Sequence, residues 1–584
     1  MKKIIAMLVL LSLLPAAAFG ENAAPVSHTL EMKTVPVYYP GNQYALEAVD
    51  MVLLHDFPLY YADGVADLPY AELTDIVRLM NSMEPSGNGE NYAFSTDGEA
   101  GVFTCTYLPR KSDIIIDFSR GTLTYSCLDT FGRDPAFSPA EIQTNPLDYL
   151  QRIYVPELSR LGGTRTVSLA DYGIPMLAQD GKYLLPLHTA FDFLIWAPKA
   201  PGSFLCCNGE AVFICAYISD FGYSDAPSEL GNIYFSQQPA ERSPELAQYG
   251  YDELCLTLDS FYGLKDAHHI AAFRDFFRNN GYEERLLSRD PKEADSALQD
   301  AIVYALDDFH SSFSLASWMS GLGTDPLPAG NGFSGERFSK ISAAFAAACN
   351  QYHPDGSDFY TESGNTAYVL LPMMATFTDS ERYYSLNTDD KNEISSSDAV
   401  QQMLYADRQI NRENSPIENV VMDLSLNHGG DVNSPACLLS WFLGEGYTSI
   451  ANTFTGGLSI GKYRADVNRD HQFTEEDTLR GRKRLFCLIS PETFSSANMT
   501  AAMLKDSGAV TLIGQTTKGG SGTVMPISTG WDTVIVLSGF RTVVSVKNGS
   551  WYDRDTGVVP DVYLSDPELF YDRDRLTELI NTLY

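Results

Sequence analysis

Between residues 366 and 514 the chain alternates short apolar runs with stretches of helical period. TAYVLLPMM is followed by NVVMDL, NSPACLLSWFLG, RLFCLI, a small-residue helix opening near Ser495, and AVTLIG. Strand, helix, strand, helix, strand implies βαβ units with parallel pairing. That pattern constrains the fold more than any other feature of the chain.

Upstream the texture differs. Helical period is clear in EADSALQDAIVYALDDFHSSF, where Leu298, Ile302, Ala305, Leu306 and Phe309 share one face. A Pro-, Ser- and charge-rich stretch at 236–245, SQQPAERSPE, reads as a linker. Before it, YYADGVADLPYAELTDIV and YGIPMLAQDGKYLLPLHTAFDFL place Asp-Gly, Leu-Pro and Asp at identical spacing. Asp-Gly marks a hairpin turn and the Pro leads into a helix, so two related units or one α+β domain with two similar hairpins are both open. At 584 residues the chain exceeds one ordinary core. The expected organisation is a signal peptide at 1–20, a separate N-terminal α+β domain at 21–240, and a catalytic region at 241–584. Within the last, a helical lead-in at 250–320 precedes an α/β core at 360–565.

The first twenty residues, MKKIIAMLVLLSLLPAAAFG, combine a Lys pair, an apolar stretch and a small-residue exit. That is a secretory signal, and no later run has the length of a bilayer span, so the expected location is exported and soluble. No Cys follows the exit, which argues against a lipid anchor. The formal net charge of −35 argues against nucleic acid and anionic membrane surfaces. Nine scattered cysteines without a CxxC pair read mostly as buried apolar residues, with one or two disulfides left open and spacing that argues against a zinc site.

The segment SPETFSSANMTAAML puts two serines at a strand-to-helix junction. Ser495 near the first turn would meet unpaired backbone N–H groups and the positive end of the helix dipole. The N–H of Ser496 could then hold an oxyanion; equally, either serine could serve as a helix cap. A second strand–turn–helix, VVMDLSLNHGGDVNS, presents Gly429 and Gly430, whose lack of side chains lets backbone donors approach a ligand.

Five segments in order resemble the C-terminal processing (tail-specific) peptidases and their tricorn-core relatives. DLSLNHGG is similar to their D-L-R-x-N-x-G-G segment, TFSSANMTAAML to T-x-S-A-x-E with its small-residue helix, and IGQTTKGGSG to G-E-x-T-x-G-x-G. GVVPDVYL resembles the terminal G-x-x-P-D strand, and LDDFHSSF the L-x-D-x-H-S/T segment. The resemblance spans roughly residues 250 to 565 and leaves the N-terminal region outside. It implies a crotonase/ClpP-like α/β peptidase core, with Ser495 as nucleophile and Ser496 with Gly429 or Gly430 as oxyanion donors. It implies peptide or unfolded-protein substrates and no cofactor for catalysis.

The family divides over its base. In the Lys branch the loop carries a Lys one place after Lys518, where this chain has Gly519; in the tricorn-like branch a His takes the position of His310. His310 is the expected base and Lys518 the alternative. The stretch between His310 and TAYVLLPMM is too short for an inserted PDZ domain, which fits the His branch. Where that branch has a Glu before G-x-x-P-D, this chain reads WYDRDTGVVPD, so Asp553 or Asp555 could orient the imidazole. Asn498 replaces the usual Glu and Ser425 the usual Arg, which keeps a peptide-binding scaffold without catalysis as the alternative to an exported serine endopeptidase.

Three further stretches carry motif-like patterns. Gly457–Gly461 spells GxSxG, but the polar GKYRADVNRD follows instead of a helix, so it reads as chance. His268-His269 has no acidic or Cys partner at ligand spacing and reads as structural. DVNRDHQFTEED sets Asp466, Asn468, Asp470, Gln472 and Asp477 at positions 1, 3, 5, 7 and 12 of an EF-hand-like loop resembling a dockerin repeat. A structural calcium ion is expected there, with an acidic solvated hairpin as the other reading, since His471 stands where Gly eases the turn.

Overall fold

The computed structural model describes residues 28–40, 51–83, 91–97, 100–131, 147–199, 202–223, 226–324, 333–354, 358–547 and 550–583. The expected signal peptide lies outside them. The alternating apolar runs form a six-stranded sheet of Tyr360–Ser363, Thr366–Leu370, Asn419–Asp423, Arg484–Ile489, Val510–Gly514 and Val562–Tyr563, in that spatial order. All neighbours except the first pair run parallel. Helices Ala399–Ile410, Asn433–Leu443 and Ser496–Asp506 lie on the crossovers. Strands Thr366–Leu370 and Asn419–Asp423 are buried at every position, which is why they read as continuous apolar runs and not as alternating ones.

A second, largely antiparallel sheet flanks this core. Its path runs Ser312–Leu315, Val534–Lys547, Gly446–Asn452, Leu458–Ala465, Leu150–Tyr154. The last strand comes from the N-terminal region, so the boundary expected near 240 is crossed. Leu150 is 2% exposed and packs in the core of the six-stranded sheet's helices. Conversely, helix Pro244–Phe261 buries its Leu and aromatic face in the core of the N-terminal sheet. The two regions share hydrophobic surface, and the expected separation is not seen.

The two Asp-Gly units lie side by side. Asp63-Gly64 and Asp180-Gly181 take the same left-handed conformations, φ 52° and 76° against 53° and 74°. The strands that follow, Tyr70–Glu72 and Lys182–Pro186, pair antiparallel with Pro186 opposite Tyr70, and each leads into a helix. Repeated turn chemistry thus builds two similar strand–turn–strand units that lie next to each other in one seven-stranded sheet.

The helix expected to end at His310 stops earlier. Its last turns widen over Asp300–Ala305, and Asp307 turns left-handed at φ 51°. Phe309 therefore leaves the buried face predicted for it and is 43% exposed. All nine cysteines are unpaired; eight are buried and Cys127 is half-buried.

Candidate functional site

Three loops converge at the carboxyl ends of the parallel strands, where ligands bind in open α/β sheets. They follow Asn419–Asp423, Arg484–Ile489 and Val510–Gly514. Phe494 N–H donates to Asn427 O at 3.0 Å, and Ser495 N–H donates to Gly519 O at 2.9 Å, so the serine is clamped between the other two loops.

Ser495 immediately precedes helix Ser496–Asp506, at φ 55° and ψ −125°. A non-glycine residue in that region is strained and persists only where its surroundings impose it. Its side chain makes no cap hydrogen bond, and the Ser496 hydroxyl is buried without a partner among the described residues. Neither serine caps the helix, so capping does not explain the pair.

Ser495 Oγ instead lies 2.9 Å from His310 Nε2. The Phe494 ring packs against the imidazole, centroids 4.6 Å apart. Burial lowers the His310 pKa below its ordinary 6.5, and the carboxylates of Asp308 and then Asp555 oppose that shift. A hydroxyl within reach of a neutral imidazole is the arrangement nucleophilic acyl transfer needs.

The glycine pair sits against this serine. Gly429 (φ 95°) is so close that an added Cβ would lie 2.6 Å from Ser495 Cβ and 3.0 Å from Ser496 N. A Cβ on Gly430 (φ 143°) would run into Met374 O. Gly429 N–H donates to Asn427 Oδ1 at 2.8 Å. Gly430 N–H and Ser496 N–H have no acceptor among the described residues, so Gly430, not Gly429, has the amide available to pair with Ser496.

Lys518 faces elsewhere. Its Nζ lies 3.3 Å from the Phe309 ring centroid, and burial pushes its pKa down to about 8, with Glu492 and Asp307 opposing. At Gly519, the place of the Lys-branch base, any side chain would strike the Asp555 carbonyl. Phe309, Phe494, Lys518, His268 and Asp555 line a cavity of about 270 Å³ beside His310.

Neither expected acid bonds to His310. Asp553 Oδ1 accepts from Ser521 Oγ at 2.5 Å, and Asp555 Oδ1 accepts the Gly520 and Ser521 amides at 3.0 and 3.2 Å. Both carboxylates organise the 519–521 loop. Asp555 Oδ2 also lies 3.8 Å from His268 Nε2, so His268 has an acidic neighbour that sequence spacing did not disclose. Burial works against the Asp555 charge, but His268 and the two amides outweigh it and hold its pKa below the usual carboxylate value. The group that does face His310 Nδ1 is Ser538 Oγ, at 3.4 Å.

The departures from the family segments have structural roles. Asn498 Oδ1 accepts from Thr517 Oγ1 at 2.6 Å and its Nδ2 donates to Arg554 O at 3.3 Å, tying the serine helix to both neighbouring loops. Ser425 Oγ donates to Asp423 Oδ1 at 2.6 Å, and the cation at Asp423 comes from Arg573, 2.9 Å away. A further pair, His428 Nε2 and Glu492 Oε2 at 2.7 Å, flanks the glycines.

The acidic loop satisfies itself. Asp466 accepts the amides of Asp470 and His471 and the Tyr384 hydroxyl; Asn468 and Asp470 accept the amides two residues on; Asp477 accepts those of Asn468 and Thr474. His471 takes the expected glycine's left-handed role at φ 62°. Among the described residues no three His, Cys, Asp or Glu side chains are grouped so that they could hold a metal ion. Gln472 contributes its amide to Asp470 Oδ1 at 2.8 Å.

Residues 366–564 match the profile of Peptidase family S41. His310 falls before the matched residues. A Chlamydia pneumoniae protein, CPj1016/CpB1054, is 24% identical over 237 residues, 40% of this chain. The match spans about a third of that relative's length, 35%. The solved photosystem II D1 C-terminal processing protease is 19% identical over 35% of this chain and 43% of its own, with a TM-score of 0.25. Mature CPAF is 11% identical over 58% of this chain and 97% of its own, with a TM-score of 0.35. Among the described residues no helix is long and apolar enough to cross a membrane.

Proposed function

We propose that this chain, whose residues 366–564 match the Peptidase family S41 profile, is an exported serine endopeptidase that cuts peptides or unfolded proteins through an acyl-enzyme on Ser495. The observation that carries the reading is the 2.9 Å approach of Ser495 Oγ to His310 Nε2, made by a strained serine at a helix N-terminus.

Ser495 Oγ attacks the scissile carbonyl carbon while its proton passes to His310 Nε2. The resulting oxyanion is held by the N–H groups of Gly430 and Ser496. When the intermediate collapses, the C–N bond breaks and His310 returns the proton to the leaving amine. Water then attacks the ester carbonyl, giving its proton to His310. The acid is released as that proton returns to Ser495. Burial suits His310 to this work, because it favours the neutral imidazole that can accept a proton.

The test is a mass-spectrometric map of casein incubated with mature wild-type or Ser495→Ala protein. Cuts made by wild type alone support the peptidase. Equal maps from the two folded proteins contradict the general endopeptidase and favour a binding scaffold.

A further inference from the structure

We infer that Ser538 and Asp308 form a two-step relay that positions His310, in place of an acid bonded directly to the imidazole. The inference rests on the reading of Ser495 as nucleophile and His310 as base. With Nε2 turned to Ser495, the other ring nitrogen lies 3.4 Å from Ser538 Oγ, and Ser538 Oγ donates to Asp308 Oδ1 at 3.0 Å. Ser538 is fully buried and Asp308 is 6% exposed, so bulk water does not compete for these groups.

The directions of donation are fixed by chemistry. A carboxylate only accepts, so the single Ser538 hydrogen points at Asp308 and the hydroxyl lone pairs face the ring. Nδ1 must then carry the ring hydrogen, which leaves Nε2 bare. That is the tautomer able to take the Ser495 proton. No proton needs to reach Asp308: the imidazolium formed during attack faces a hydroxyl dipole aimed at the Asp308 carboxylate.

Both relay members are held in place. Asp308 also accepts His310 N–H at 3.0 Å and Ser311 Oγ at 2.6 Å, so the carboxylate and the imidazole share one turn. Ser538 sits in strand Val534–Lys547, which pairs with Ser312–Leu315 directly after that turn. On its other side stands Gly522, where a Cβ would lie 2.5 Å from Ser538 Cβ. Asp553 and Asp555 are bound to the 519–521 loop, and Asp555 acts on His310 only as a more distant charge. Ser538 and Asp308 are positioning residues: they act on substrate through His310.

The experiment measures covalent labelling by a fluorophosphonate probe across pH. Ser495 Oγ attacks phosphorus, fluoride leaves, and the serine proton passes to His310, so no knowledge of the peptide substrate is needed. Ser538→Ala removes one hydroxyl, leaves Asp308 its bonds to His310 N–H and Ser311 Oγ, and should label about tenfold more slowly, or worse. Asp308→Asn should be slower still, and its acidic limb should move to lower pH, because the lost negative charge no longer favours the imidazolium. Wild-type labelling with the wild-type limb in folded Ser538→Ala overturns the relay. Should that variant fail to fold, an unmoved limb in Asp308→Asn overturns it. Ser495→Ala separates the two readings: labelling that persists there removes the nucleophile itself, whereas its loss alongside normal Ser538→Ala labelling removes only the relay.

Discussion

A methyl group on Gly429 would lie 2.6 Å from Ser495 Cβ, so the absence of a side chain at one loop sets the position of the serine on another. Gly429→Ala should push Ser495 away from His310 and shift the neighbouring Gly430 amide. At φ 95° the alanine is also strained. We expect a loss of about a hundredfold or more in kcat/KM on a casein-derived peptide. Thermal melting should show a smaller cost, of about 1–3 kcal/mol. Wild-type kinetics in the alanine variant would contradict the packing described.

The pH dependence discriminates between the two bases. Burial lowers the His310 pKa, and the base works when neutral. Activity should therefore persist as pH falls past the ordinary 6.5 and be lost on the acid side of it. Were Lys518 the base, neutral amine would be required and the limb would lie at about 8. The check is kcat/KM against pH, with Lys518→Met retaining most activity and His310→Ala losing about a thousandfold or more. A limb near the lysine value, or the reverse order of losses, contradicts the assignment.

The parallel core and the serine loop were legible because their signals are local. Four buried strands give apolar runs, and Ser495 and the glycine pair each sit in a strand–turn–helix that can be read in one short window. His310 was legible only by resemblance. The helical period that led up to it continues on paper through Phe309, while the real helix ends at Ala305. What could not be read is what the fold brings from afar. Ser538 reaches His310 across 228 residues from a strand whose sequence, VIVLSGF, carries no catalytic signature. Asp553 and Asp555 have the right chain position for an orienting acid but are taken by the amides and hydroxyl of the 519–521 loop. Strand Leu150–Tyr154 joins the second sheet through pairing with residues more than 300 positions later, which no boundary drawn from composition could show.

Arg573 completes the base of the glycine loop from the C-terminal helix. Its Nη2 lies 2.9 Å from Asp423 Oδ2, with side-chain exposures of 9% and 0%. Arg573→Ala would leave Asp423 buried and unpaired at the end of the strand that leads to Gly429 and Gly430. We expect a loss of about 3–5 kcal/mol in denaturant unfolding. A change within experimental error would show that the pair contributes nothing there.

Chelation tests the acidic loop. Because Asp466, Asp470 and Asp477 are bonded to the loop's own amides, EDTA should leave melting temperature and activity unchanged, and added calcium should not raise either. A calcium-dependent rise in melting temperature that vanishes in Asp466→Ala would contradict the self-satisfied loop and restore an ion to it.

The most direct measurement locates the fluorophosphonate adduct by peptide mapping in wild type and in His310→Ala. The account predicts one adduct, on Ser495, formed at least about a hundredfold more slowly in the variant. An adduct on another serine, or equal labelling of Ser495 with and without His310, would contradict a Ser495–His310 peptidase.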